Sequence, residues 1–216
     1  MQRGLSAQSA DWGIVGYWIT PPSRLTPRHL SCARPSVRTG VPLHKRGFDA
    51  SALHTLERNL TMKILVLSDS HGNIDNMARA VELIRPRHIL HLGDCLRDAQ
   101  ALHERFPDIP MDTVPGNCDW GSFDTPERLL EFDGVRVLMM HGHTRNVKSS
   151  PLAAQYAARE YGADVLLFGH THRPLVDYDG TLYTMNPGAA GDYRRPTYGV
   201  LTIENGRADC ATFVLE

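Results

Sequence analysis

The chain predicts an α/β fold in which two β-sheets lie face to face and carry helices on their outer sides. Three observations point there. Short apolar runs alternate with helix-period segments from Met62 onward, five of those runs stop at a carboxylate, amide or imidazole, and beyond Pro174 the pattern turns to strands alone.

The strand-like runs come first. Ile64-Leu67 leads into Ser68-Asp69-Ser70-His71, and His88-Leu92 into Gly93-Asp94. Met111-Val114 leads into Pro115-Gly116-Asn117-Cys118-Asp119, Val135-Met140 into His141-Gly142-His143, and Val165-Phe168 into Gly169-His170-Thr171-His172. Glycines beside these polar groups permit tight turns. Ligands of open α/β sheets bind beyond the carboxyl ends of the strands, so the five ends are expected to converge on one site.

Two helices are bracketed by their caps. Asn73 caps an apolar stripe of Ile74, Met77, Ala78, Val81 and Ile84 that Pro86 ends. Ser150 as cap, Pro151 at the first helical position and Gly162 past the end bracket Leu152 to Tyr161. After Pro174, the runs Leu175-Tyr178, Thr181-Met185, Tyr198-Ile203 and Ala208-Val214, with Asp179-Gly180 as a hairpin turn, predict a second, mainly antiparallel sheet.

Composition breaks near Met62. Residues 1–61 hold 8 Lys+Arg against 3 Asp+Glu, leaving 15 against 21 for 62–216, and prolines interrupt any apolar period there. A targeting peptide, a disordered tail and translated sequence upstream of a start at Met62 are the competing readings of 1–61. The last is favoured, since Met62 is followed at once by a core strand and Glu57-Arg58 suits a purine-rich ribosome-binding stretch. The folded domain is then 62–216.

A net charge of -1 disfavours a nucleic-acid-coating protein, and no run approaches the roughly 20 apolar residues that span a bilayer. Four cysteines without a CxxC pair suggest neither a disulfide framework nor a zinc finger, and fit a reduced, cytoplasmic chain. Cys95 and Cys118 are expected to be buried space-fillers rather than redox sensors.

Asp69, His71, Asp94, Asn117, His141, His170 and His172 offer only nitrogen and oxygen donors, which suits Mn²⁺, Fe, Zn²⁺, Co²⁺ or Ni²⁺. Asp69 and His71, like His170 and His172, flank one residue, and an extended strand would send both of a pair to one face. Seven donors exceed what one tetrahedral ion uses, so two divalent ions are expected. If Asp94 bridges them at roughly 3.5–4 Å, a shared hydroxide near neutral pKa is the expected nucleophile. Structural roles are expected for His88, His91 and His103, and a solvated loop for Arg194-Arg195.

Asp-x-His, Gly-Asp, Gly-Asn-x-Asp, His and Gly-His-x-His, in this order, resemble the calcineurin-like metallophosphoesterase family over about 62–216. The words Ser68-Asp69-Ser70-His71-Gly72, Gly116-Asn117-Cys118-Asp119, His141-Gly142-His143 and Asn186-Pro187-Gly188 are most similar to its small bacterial and archaeal phosphodiesterase branch, related to the retromer-subunit branch. The resemblance implies a four-layer αββα sandwich. It assigns one ion to Asp69, His71, Asp94 and His172 and the other to Asp94, Asn117, His141 and His170, with Asn117, His141 and Asp94 at the catalytic centre.

Larger members of the family usually carry histidine at the position of Cys118, where it protonates the leaving oxygen or binds phosphate. Cys118 is a poorer proton donor, and His143 is the alternative group lining the substrate. The expected activity is hydrolysis of a small phosphoester, a phosphodiester first, with manganese as the leading metal. The alternatives are a phosphomonoesterase and a protein-binding scaffold on the same fold. Few apolar surface runs are visible, so a homodimer has little behind it.

Overall fold

The computed structural model describes residues 61–122 and 124–216. The expectation for 1–61 lies outside them, except that the first strand, β1 (Thr61–Leu67), begins one residue before Met62, with Thr61 paired to Glu204.

Ile64 to Leu67 is apolar at every position because both faces of β1 are covered. Alternate side chains face opposite ways. Ile64 and Val66 join a core with Leu90, Val137, Met139, Val165, Leu167, Met185 and Leu201, whereas Leu65 and Leu67 pack with Met77, Ala78, Val81 and Leu102. The first group fills the space between two sheets; the second is covered by helices.

Along the chain follow α1 (Ile74–Ile84), β2 (His88–His91), α2 (Leu96–Arg105), β3 (Met111–Thr113), β4 (Glu127–Phe132) and β5 (Val135–Met140). After these come α3 (Leu152–Glu160), β6 (Val165–Phe168), β7 (Leu175–Tyr178), β8 (Tyr183–Asn186), β9 (Thr197–Glu204) and β10 (Arg207–Val214). One sheet has the order β10-β9-β1-β2-β3 and the other β4-β5-β6-β8-β7. Each is mixed: β1, β2 and β3 run parallel while β9 and β10 pair antiparallel; β5, β6 and β8 run parallel between antiparallel β4 and β7. With α1 and α2 on one outer face and α3 on the other, the layers are αββα.

The expectation of a second, mainly antiparallel sheet made from the last four strands is corrected. β7 and β8 complete one mixed sheet and β9 and β10 the other, because β9 finds its partner in β1, more than 100 residues back, a pairing that no local pattern encodes.

Helix caps follow the sequence with one shift. The Asn73 side chain accepts the Asn76 N–H at 3.1 Å, and Arg85, in the left-handed region, closes α1 through its N–H to the Val81 carbonyl at 2.8 Å. In α3, Pro151 rather than Ser150 takes the cap position, although the Ser150 hydroxyl still accepts the Leu152 N–H at 3.3 Å. α3 packs through Ala154, Ala157 and Ala158, which let the helix sit close on Leu138, Leu166 and Phe168. β8 starts later than expected, since the Asp179 carboxylate draws the Thr181 and Leu182 N–H groups into the turn at 2.9 Å each.

At the edge away from β10, Arg128 of β4 reaches Asp112 of β3 at 2.6 Å, and His88 Nε2 lies 2.9 Å from the other oxygen of Asp112. This ties the margins of the two sheets. It also gives His88 the structural role expected of it.

Candidate metal centre

The carboxyl ends of β1, β2 and β3 from one sheet and of β5 and β6 from the other deliver the seven predicted residues to one end of the sandwich. Donor atoms of Asp69, His71, Asp94 and His172 all lie within 4.8 Å of one another, and so do those of Asp94, His141 and His170. Asp94 belongs to both groups. Asn117 joins the second, with its Oδ1 3.1 Å from His141 Nε2.

The backbone that aims these side chains differs from expectation. Asp69, His71, Asp94, His170 and His172 have φ of 54°, 44°, 59°, 65° and 58°, in the left-handed region, so the paired donors converge through curled loops rather than extended strands. Gly93, at φ 95°, lets two loops meet: a Cβ there would stand 2.5 Å from the Gly116 nitrogen. A Cβ on Gly116 would collide with the Asp94 carboxylate.

Hydrogen bonds fix each donor. Asp69 Oδ2 accepts the Ser68 hydroxyl at 2.5 Å and the His170 N–H at 3.1 Å. Its Oδ1 is buried without a hydrogen-bond donor; His172 Nε2 stands 3.0 Å away but is not aligned as one. Burial opposes ionisation of Asp69, and His172, His141 and the Ser68 hydroxyl outweigh it, holding the carboxyl below its usual range. His141 Nδ1 lies 2.8 Å from the Leu92 carbonyl, which accepts only, so in the neutral ring Nδ1 carries the proton and Nε2 is a bare lone pair. That lone pair faces Asn117 Oδ1 at 3.1 Å, His170 Nδ1 at 3.1 Å and Asp94 Oδ1 at 3.5 Å.

An orphaned buried carboxylate oxygen and acceptors facing each other at hydrogen-bond distance are what a cation would satisfy, and the nitrogen and oxygen donors suit divalent ions. The residues present therefore fit the metals that the sequence implies. Without them, burial and the neighbouring His141 and Lys148 charges push His170 down to about 4, while Asp69 raises His172.

Several further residues position these donors. Asp119 both orients a neighbouring donor and closes a turn: Oδ2 accepts the Asp94 and Gly116 N–H groups at 2.9 and 2.8 Å, and Oδ1 the Leu96 N–H at 2.7 Å, at the start of α2. Buried Asp98 accepts the Ser70 hydroxyl at 2.7 Å and the Gly72 N–H at 2.6 Å. An acidic residue in the first turn of a helix is too common to flag. Fully buried His91 accepts the Gly93 N–H on Nδ1 at 3.3 Å, and burial lowers its pKa to about 4.

Cys118 offers its backbone N–H to Asp94 Oδ1 at 2.9 Å, while its thiol takes a hydrogen bond from Asn117 Nδ2 at 3.4 Å. The expectation that Cys95 and Cys118 are buried is corrected: Cys118 is exposed and Cys95 half-buried, because both sit on the loops that open the site. Desolvation and the Asp94 carboxylate push the Cys118 thiol up to about 11. The His143 ring lies 5.4 Å from that of His141 and 6.2 Å from that of His170, beside the cluster. Arg194 and Arg195 lie on an exposed loop whose Asp192 carboxylate accepts both backbone N–H groups.

An αββα sandwich that gathers carboxylate, amide and imidazole donors at its strand ends defines a protein of the metal-dependent phosphoesterase class. A model of the calcineurin-like phosphoesterase superfamily domain matches residues 62–206, and the chain belongs to that family. It is 33% identical over 157 residues to the probable metallophosphoesterase YsnB of Bacillus subtilis, covering 68% of this chain and 88% of that one. To phosphodiesterase MJ0936 of Methanocaldococcus jannaschii it is 24% identical, over 66% and 94% of the two chains. The structure of a single mutant of Vps29 from Entamoeba histolytica shares the fold, with a TM-score of 0.57 at 21% identity, over 72% of this chain and 100% of that one. Among the described residues no helix is long and apolar enough to cross a membrane.

Proposed function

We propose that the chain is a binuclear metal-dependent phosphodiesterase acting on small phosphoesters. The observation that carries this reading is the sharing of Asp94 between two donor groups, each of a size to hold one ion. The kinship with a protein named phosphodiesterase favours diesters over monoesters. Asp69, His71, Asp94 and His172 would hold one ion, and Asp94, Asn117, His141 and His170 the other, with Mn²⁺ the first choice and Ni²⁺, Co²⁺, Fe and Zn²⁺ the alternatives.

When bound, two such ions polarise a phosphoryl oxygen and lower the pKa of an attacking water. The chain's own part is placement. The Leu92 carbonyl fixes the His141 tautomer, Ser68 and the His170 N–H pin one oxygen of Asp69, and Asp119 holds the Asp94 and Gly116 backbones together. Such supporting contacts typically change metal affinity or activity by about 10–100-fold when removed.

Inductively coupled plasma analysis after Mn²⁺ loading is expected to find two equivalents per chain, and Mn²⁺ to drive hydrolysis of bis(4-nitrophenyl) phosphate. Asn117→Ala and His141→Ala should each lower that rate by about 100-fold or more while leaving the circular dichroism spectrum intact. A single equivalent of metal, or no Mn²⁺-dependent turnover, would overturn the reading.

A thiol stands where larger relatives place an imidazole, so the leaving oxygen departs with little help from a proton donor. The rate on a series of aryl phosphodiesters is therefore expected to fall steeply as the leaving phenol becomes less acidic. A flat dependence would mean that another side chain, His143 first, donates the proton.

A further inference from the structure

A groove of about 540 Å³ adjoins the donor cluster. Thr171 lines it and stands between His170 and His172, so groove and cluster share a rim. Pro151, Phe168 and Leu175 give the groove an apolar wall, and Lys148 and Arg173 bring two cations to it. None of its lining residues is acidic. Lys148 and Arg173 are both exposed, and neither has an ion-pair partner among the described residues.

Two divalent ions held by the cluster would already neutralise a scissile phosphate. Two further unpaired cations on a wall without carboxylates are surplus to that phosphate, and they favour a second negative group on the same ligand. The apolar wall beside them fits a flat or branched apolar body, and the volume lies in the range of small-molecule sites, about 300–1,000 Å³. We propose that this groove receives one arm of the diester, that the arm is apolar and bears an additional anionic group, and that Lys148 and Arg173 determine this specificity. The proposal rests on the phosphodiesterase reading above.

Its test uses ligands that cannot turn over. (4-Carboxybenzyl)phosphonate and (4-carbamoylbenzyl)phosphonate differ only in the charge of the distal group, and their C–P bond is not hydrolysed. Calorimetric titration of the Mn²⁺-loaded full chain is expected to show the carboxylate binding about fivefold more tightly than the amide. In the double variant Lys148→Gln/Arg173→Gln, with an unchanged circular dichroism spectrum, the two affinities should become equal.

Equal affinities in the wild type, no saturable binding, or a preference that survives the double substitution would each overturn the proposal. Turnover of bis(4-nitrophenyl) phosphate is followed in parallel. A charge preference without turnover would remove the phosphodiesterase reading and leave the groove's specificity standing, whereas turnover without a preference would do the reverse.

Discussion

Replacing Asp94 by Asn should lower Mn²⁺-dependent kcat/KM on bis(4-nitrophenyl) phosphate by about a thousandfold, or roughly 4 kcal/mol of transition-state stabilisation. Asp94 alone belongs to both donor groups, so one substitution weakens both ion sites. Asn preserves the shape, and its amide oxygen can still accept the Cys118 N–H that Oδ1 accepts at 2.9 Å. The Asp94 N–H to Asp119 is a backbone contact and is untouched. Folding of the metal-free chain should therefore change little, which separates a loss of chemistry from a loss of structure. Steady-state kinetics with melting curves measured in EDTA provide the check, and activity within tenfold of the wild type would remove Asp94 from its shared role.

A large effect on stability is expected at Gly93, where a positive φ and a backbone collision coincide. Alanine there would need φ near 95° and would set its Cβ 2.5 Å from the Gly116 nitrogen and 2.9 Å from the Pro115 carbonyl carbon, both backbone atoms that cannot rotate away. Gly93→Ala should destabilise the chain by about 3 kcal/mol or more in urea unfolding, combining the backbone conformation with overpacking. Gly180 is the control. Its φ is 97°, but a Cβ there meets nothing within 4 Å, so Gly180→Ala should cost only the conformational part, about 1–2 kcal/mol. Equal losses at the two positions would show that the contact with Gly116 contributes nothing. Surviving Gly93→Ala protein should also hydrolyse diesters more slowly, since Asp94 and Asn117 are aimed by the two loops that would have to part.

Much of this architecture is legible in the chain because its signals are local. Ile64 to Leu67 announces a strand covered on both faces, Asn73 and Pro86 bracket α1, and the donors follow their strands in the same order in which the fold collects them. Less was legible wherever partners are distant. Thr197–Glu204 reads as a strand, but its pairing with β1 rather than with β8 depends on burial of both sheet faces at once. β4 was missed, for it is an edge strand whose partly exposed Leu129 and Leu130 show no clean alternation, although Asp133-Gly134 after it is the same turn dipeptide as Asp179-Gly180. Asp98 and Lys148 are ordinary charged residues until folding sets one beneath the Ser70 loop and the other on the wall of a groove.

Among the described residues ten that are not glycine have positive φ, and five of them are the carboxylates and imidazoles proposed to hold metal, which makes the site the main holder of unfavourable backbone. Each such residue gives up on the order of 1 kcal/mol or more relative to a glycine in the same place. Selection for metal binding and selection for a stable fold therefore pull in opposite directions at these positions. A descendant released from the need for metal would shed that backbone cost at each of these five positions it exchanged for glycine, less the hydrogen bonds that the Asp69 and Asp94 carboxylates accept.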